Sequence, residues 1–154
     1  MNGSIEIGTI IFLRANFDYN ETSIDFVSTA HRWLEEWNSE PLPGDMSTEQ
    51  LFEILISKLK KKRILILIDS LERLLIGDET NGWGEHFIDE WWEKFFLRVL
   101  SLETFQSRII ITSQDLPMNL CHTRYQTFLF ISIRRIEGIR TRRIIYQKGI
   151  KDYS

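Results

Sequence analysis

Five apolar residues followed by an acid, Ile64-Leu65-Ile66-Leu67-Ile68-Asp69, constrain this chain more than any other segment. They do not alternate with polar residues, as a strand with one wet face would. The run reads as a parallel strand covered on both faces, inside an α/β sheet. Arg108-Ile109-Ile110-Ile111-Thr112-Ser113 repeats the pattern. Residues 5–15, rich in isoleucine and leading into the turn-like Asn16-Phe17-Asp18-Tyr19-Asn20, make another strand, and residues 127–133 a fourth.

Helical patterns lie between these strands. Thr22 or Ser23 can cap a helix with Val27, Ala30, Leu34 and Trp37 along one face, and Pro41-Leu42-Pro43-Gly44 stops it. Ser47-Thr48-Glu49-Gln50 is a capping-box pattern, after which Leu51, Phe52, Leu55, Ile56 and Leu59 form the buried stripe of a second helix. The basic end of that helix, Lys58 with residues 60–63, complements its dipole. Residues 86–100 carry Phe87, Ile88, Trp91, Trp92, Phe95, Phe96 and Val99, a wide aromatic face expected in the core. One further helical turn is expected within residues 116–122. Strands alternating with helices imply right-handed crossovers and a three-layer α/β sandwich.

A chain of 154 residues with 43% hydrophobic content makes about one domain with a real core. Cys121 is the single cysteine, which excludes an internal disulfide and favours a reducing compartment. The first residues lack a basic segment followed by an apolar one, and residues 64–68 are far fewer than the roughly 20 a membrane-spanning helix needs. A soluble cytoplasmic protein without a membrane partner is expected. The net charge of −3 hides an asymmetry: residues 1–133 hold 12 basic and 20 acidic side chains, residues 134–154 hold 7 and 2. Such a basic tail can attract the phosphates of nucleic acid or a lipid surface, but a solvated helix face or a piece cut from a larger domain is the favoured reading, and nucleic acid is not an expected partner.

In open parallel sheets ligands gather at the carboxyl ends of the strands, where Asp69 and Ser113 sit. A carboxylate placed there is held rigidly and can take Mg²⁺ directly or through water. Glu72 follows three residues later and can share the crevice, one acid holding metal and the other activating water. Alternatively Asp69 is a helix N-cap and Glu72 its capping-box partner, with no ligand involved. Ser113 and Gln114 end the neighbouring strand and can hydrogen-bond toward the same crevice, which by itself assigns them no ligand. His31, His86 and His122 have no metal-ligand spacing, and no Gly-x-Ser-x-Gly marks an acyl-transfer nucleophile.

Taken together, the two strands carry a family resemblance. Lys62-Arg63-Ile64-Leu65-Ile66-Leu67-Ile68-Asp69-Ser70-Leu71-Glu72 resembles the Walker B segment of STAND-type P-loop NTPases, the class of the NB-ARC and NACHT proteins. Ser107-Arg108-Ile109-Ile110-Ile111-Thr112-Ser113-Gln114 is similar to the following sensor strand of NB-ARC domains, with Gln114 where an arginine usually stands. Ser70 occupies the place of a frequent second aspartate. Ile136-Glu137-Gly138-Ile139, with Tyr146 and Gly149-Ile150, resembles the start of the small helical domain that follows the family's core, with arginines replacing its acids. The resemblance implies a P-loop NTPase-like core over residues 1–133 and the basic start of a truncated helical domain over residues 134–154. It implies Mg²⁺ with ATP or ADP as cofactor, Asp69 as the metal-coordinating acid, Glu72 as the catalytic, water-orienting acid and Ser113 with Gln114 as cofactor-binding residues of a signalling switch.

The family's P-loop is missing. No Gly-Lys-Ser/Thr occurs, and Gly3-Ser4-Ile5-Glu6-Ile7-Gly8-Thr9 has the glycine spacing without the lysine. By resemblance the chain begins after the P-loop strand, which normally lies between the sensor strand and the last strand. Residues 127–133 are then expected to lack their usual neighbour and to leave a sheet edge exposed. The implied function is an ATP/ADP-binding switch module with little or no ATPase activity alone, completed by a protein partner or the missing N-terminal segment. The alternatives are a non-enzymatic interaction fragment and, with less support, a divalent-metal phosphodiesterase built on Asp69 and Glu72.

Overall fold

A computed structural model describes residues 11–17, 24–38, 41–78, 80–103, 105–120, 128–133 and 142–147, with the last two segments, Trp83 and Met118 described as backbone. In chain order the elements are β1 (Ile11–Asn16), α1 (Phe26–Asn38), α2 (Thr48–Lys61), β2 (Ile64–Asp69) and a 3-10 turn (Leu71–Leu74). There follow β3 (Leu75–Asp78), β4 (Gly82–Phe87), α3 (Glu90–Leu100), β5 (Arg108–Ser113), a second 3-10 turn (Met118–Leu120), β6 (Phe128–Ile133) and β7 (Arg142–Gln147). The class is α/β. Five strands form one sheet in the order β1-β2-β5-β7-β6, in which β1, β2 and β5 are parallel, and β3 and β4 form a separate hairpin.

The second half of the sheet departs from expectation. β7 lies between β5 and β6 and runs antiparallel to both, so β6 is paired from Phe128 opposite Gln147 to Ile133 opposite Arg142. The strand expected to lack a neighbour therefore has one, supplied by a segment expected to be helical. Ile144-Ile145-Tyr146 is β-branched and aromatic, and pairing it with β5 satisfies backbone groups that an open edge would leave bare. The rest of the expected helical unit, residues 134–141 and 148–154, lies outside the described residues, as do residues 5–10, Thr22, Ser23 and Cys121.

Local signals were obeyed most closely in α2. Ser47 accepts from the Gln50 amide at 3.2 Å, Gln50 Oε1 accepts from the Ser47 amide at 2.9 Å, and all five residues of the expected stripe are buried. α1 is rotated from the expected face: Phe26, Thr29, Ala30, Trp33 and Leu34 are buried, whereas Val27 is exposed and Trp37 only partly covered. The Trp33 indole N–H donates to the Arg14 carbonyl at 3.1 Å, so this large ring turns toward the sheet. α3 starts at Glu90 rather than near residue 86, because Gly82–Phe87 pairs with β3. Asp89 ends the hairpin and caps two helices: its Oδ1 accepts from the Trp91 amide at 2.9 Å and its Oδ2 from the Phe26 amide at 2.8 Å.

The three-layer expectation is corrected to two layers among the described residues. Leu13 and Ala15 of β1 pair with Ile66 and Ile68 of β2, which pair with Ile109 and Ile111 of β5, and all six are buried. On that face α1, α2 and α3 share one core in which Trp92 contacts Phe26 and Phe17 at ring distances of 5.3 and 5.5 Å and Trp33 at 6.1 Å. The aromatic residues of α3 thus belong to the core. The opposite positions, Leu65, Leu67 and Ile110, are only half-buried. The cause is topological: β1, β2 and β5 step across the sheet in one direction, and right-handed crossovers then put the described helices α1, α2 and α3 on the same face. A non-alternating apolar run did not mean cover on both faces. No helix among the described residues is long and apolar enough to cross a membrane.

Candidate functional site

Three parallel strands end side by side. Asn16 of β1 pairs with Asp69 of β2, and Asp69 neighbours Thr112 of β5, whose hydroxyl donates to Asp69 Oδ1. Asp69 is half-buried and shares with Leu65 and Leu67 the face that no described helix covers, so its carboxylate stands at the rim rather than inside the helical core. The chain then turns sharply. Ser70 adopts φ 63° and ψ 50°, a left-handed conformation that costs a residue with a Cβ about 1 kcal/mol or more. Its amide donates to Thr112 Oγ1 at 3.2 Å, which holds the turn in place. The reading of Asp69 as an N-cap does not hold: Ser70 stands at that position, without a side-chain capping bond.

Glu72 points elsewhere. It is 5% exposed, and its Oε2 accepts from Ser113 Oγ and from the Gln114 amide, both at 3.1 Å. Ser113 is also buried, and its hydroxyl lies against the Asp115 carbonyl as well. Glu72 thereby clamps the end of β5 to the 3-10 turn after β2. Asp69 and Glu72, close in sequence, fall on different sides of the strand ends: one at the rim, one beneath it. Of the four residues singled out from sequence, Asp69 is at the open rim and Gln114 is half-buried just after the end of β5, while Glu72 and Ser113 bond each other inside.

Thr112 was not singled out, although its hydroxyl donates to Asp69. Parallel register supplies the missed signal: Ile68 pairs with Ile111, which brings the next residues, 69 and 112, together. Among the described residues no group of three or more His, Cys, Asp and Glu side chains is arranged to hold a metal ion. What the rim offers instead is one carboxylate, Asp69, with the neighbouring Thr112 hydroxyl. Compared with protein-family models, curated proteins and solved structures, the chain matches none.

Proposed function

We infer that the chain is a phosphate-binding module for Mg²⁺–ATP or Mg²⁺–ADP, of the STAND switch type its strand motifs resemble. The observation that carries this reading is Asp69 at the carboxyl end of a central parallel strand, half-exposed and hydrogen-bonded by Thr112 of the next parallel strand. Asp69 would hold the cation, and Mg²⁺ when bound supplies charge neutralisation for the phosphates. Thr112 orients the carboxylate, and the left-handed turn at Ser70 takes the chain away from the rim. Glu72 serves by fixing Ser113 and Gln114 rather than by touching water. Without a phosphate-cradling lysine the main electrostatic support of phosphoryl transfer is missing, so turnover by this chain is expected to be negligible.

Titration calorimetry with Mg²⁺–ADP and Mg²⁺–ATP tests the reading. Expected is binding that disappears when Mg²⁺ is chelated and in Asp69→Asn, with the fold intact by circular dichroism. Binding unchanged in Asp69→Asn, or no binding at millimolar nucleotide, defeats it.

A further inference from the structure

The face of the parallel sheet opposite the helices has a definite chemistry. Phe12 of β1 is 55% exposed, an unusual state for a phenylalanine in a sheet, and it pairs with the half-buried Leu65. Leu67 and Ile110 pair with each other across β2 and β5 and are likewise half-buried. These four make a contiguous apolar strip. Arg14, opposite Leu67 on β1, and Arg108, opposite Leu65 on β5, are exposed and flank the strip diagonally. The Arg108 guanidinium donates to the Ser107 carbonyl at 2.9 Å, a neutral partner that leaves its charge uncompensated. Among the described residues the one acid on this part of the face, Asp69, is at the far end and engaged by Thr112.

Parallel sheets are ordinarily covered on both faces, because their strands expose apolar side chains on each. Here the one-directional step from β1 to β2 to β5 places the chain's own crossovers on the other side, and no described helix crosses this one. We propose that this face is a docking surface for an amphipathic α-helix of a partner protein, with apolar residues along one stripe and acidic residues on both flanks. The stripe lies on Phe12, Leu65, Leu67 and Ile110. The acids meet Arg14 on one side and Arg108 on the other. A helix laid on the sheet completes the second helical layer, and opposite charges on its two flanks set its position and direction. This proposal stands apart from nucleotide binding and survives its failure.

The test uses the full chain and two synthetic helical peptides of about 15 residues, each with the same leucine stripe, one flanked by glutamates and one by lysines. Fluorescence anisotropy is expected to show binding of the glutamate peptide, weakened by salt, and at least about tenfold weaker binding of the lysine peptide. In the double variant Arg14→Glu with Arg108→Glu the preference reverses. Should that variant not fold, Arg14→Gln with Arg108→Gln erases the preference instead. Phe12→Ser weakens both peptides. Equal affinity for the two peptides, or no binding of either, overturns the proposal. So does a dimer in sedimentation that Phe12→Ser dissociates, since it assigns the face to a second copy of this chain.

Discussion

The Thr112 hydroxyl donates to Asp69 Oδ1 while its oxygen accepts the Ser70 amide at 3.2 Å, so one side chain of β5 fixes both the last residue of β2 and the turn that follows. Thr112→Val keeps the shape and removes both bonds. Equilibrium urea unfolding is expected to show a loss of about 1 kcal/mol. With the Asp69 carboxylate no longer oriented, the proposed Mg²⁺–nucleotide binding is expected to weaken severalfold; unchanged affinity would mean that orientation by Thr112 is irrelevant to the ligand.

Replacing Glu72 separates a clamp from a catalytic acid. Glu72→Ala leaves the Gln114 amide without its acceptor and the Ser113 hydroxyl with only the Asp115 carbonyl, and is expected to cost about 1–2 kcal/mol. Glu72→Gln keeps an acceptor oxygen and recovers more than half of that in thermal melts. An acid that worked on water would show the reverse: stability unchanged by either substitution, with activity lost in both.

Ser107 joins α2 to β5. Its fully buried hydroxyl lies 2.8 Å from the carbonyls of both Leu59 and Lys62, which belong to the free C-terminal carbonyls of that helix and its cap. Ser107→Ala leaves them without this donor. A destabilisation of about 1–2 kcal/mol is expected in chemical unfolding, with hydrogen exchange accelerated at the end of α2.

Acid loosens the β3–β4 hairpin. The Asp78 carboxylate is held below its ordinary value of 3.8, first by the Asn81 amide, then by the Asn81 side chain and the Thr80 amide. Oδ1 accepts from the two amides at 2.7 and 2.8 Å. Because the folded value is the lower one, the stabilisation is complete above pH 3.8 and is lost as pH falls through the lowered value. NMR titration of the Thr80 and Asn81 amide signals should show the change only below pH 3.8, and Asp78→Asn should remove it.

The open sheet face makes one further prediction about solubility. Phe12→Lys places a charge on an edge strand where the side chain is already largely in water. Folding stability should change by less than about 0.5 kcal/mol, and nonspecific association at high concentration should fall, as read by light scattering.

Sequence alone determined the elements whose signals are local. The capping box from Ser47 to Gln50 and the stripe from Leu51 to Leu59 define α2, since each signal acts within a turn or two of helix. The apolar runs of β2 and β5 define strands, and an acid at the end of β2 is at the sheet rim wherever that strand pairs. The β3–β4 hairpin was also written locally, in Asn81-Gly82, with Gly82 at φ 88°; the aromatic periodicity of the following helix masked it.

Tertiary structure decided the rest, because those outcomes depend on partners distant in the chain. Asp69 and Glu72 are three residues apart, yet the reversal at Ser70 sends one to the rim and the other beneath the end of β5. Whether residues 142–147 became helix or strand was settled by the open edge of β5. Whether the sheet gained one helical layer or two followed from the direction in which its parallel strands were laid down, and no single segment carries that information.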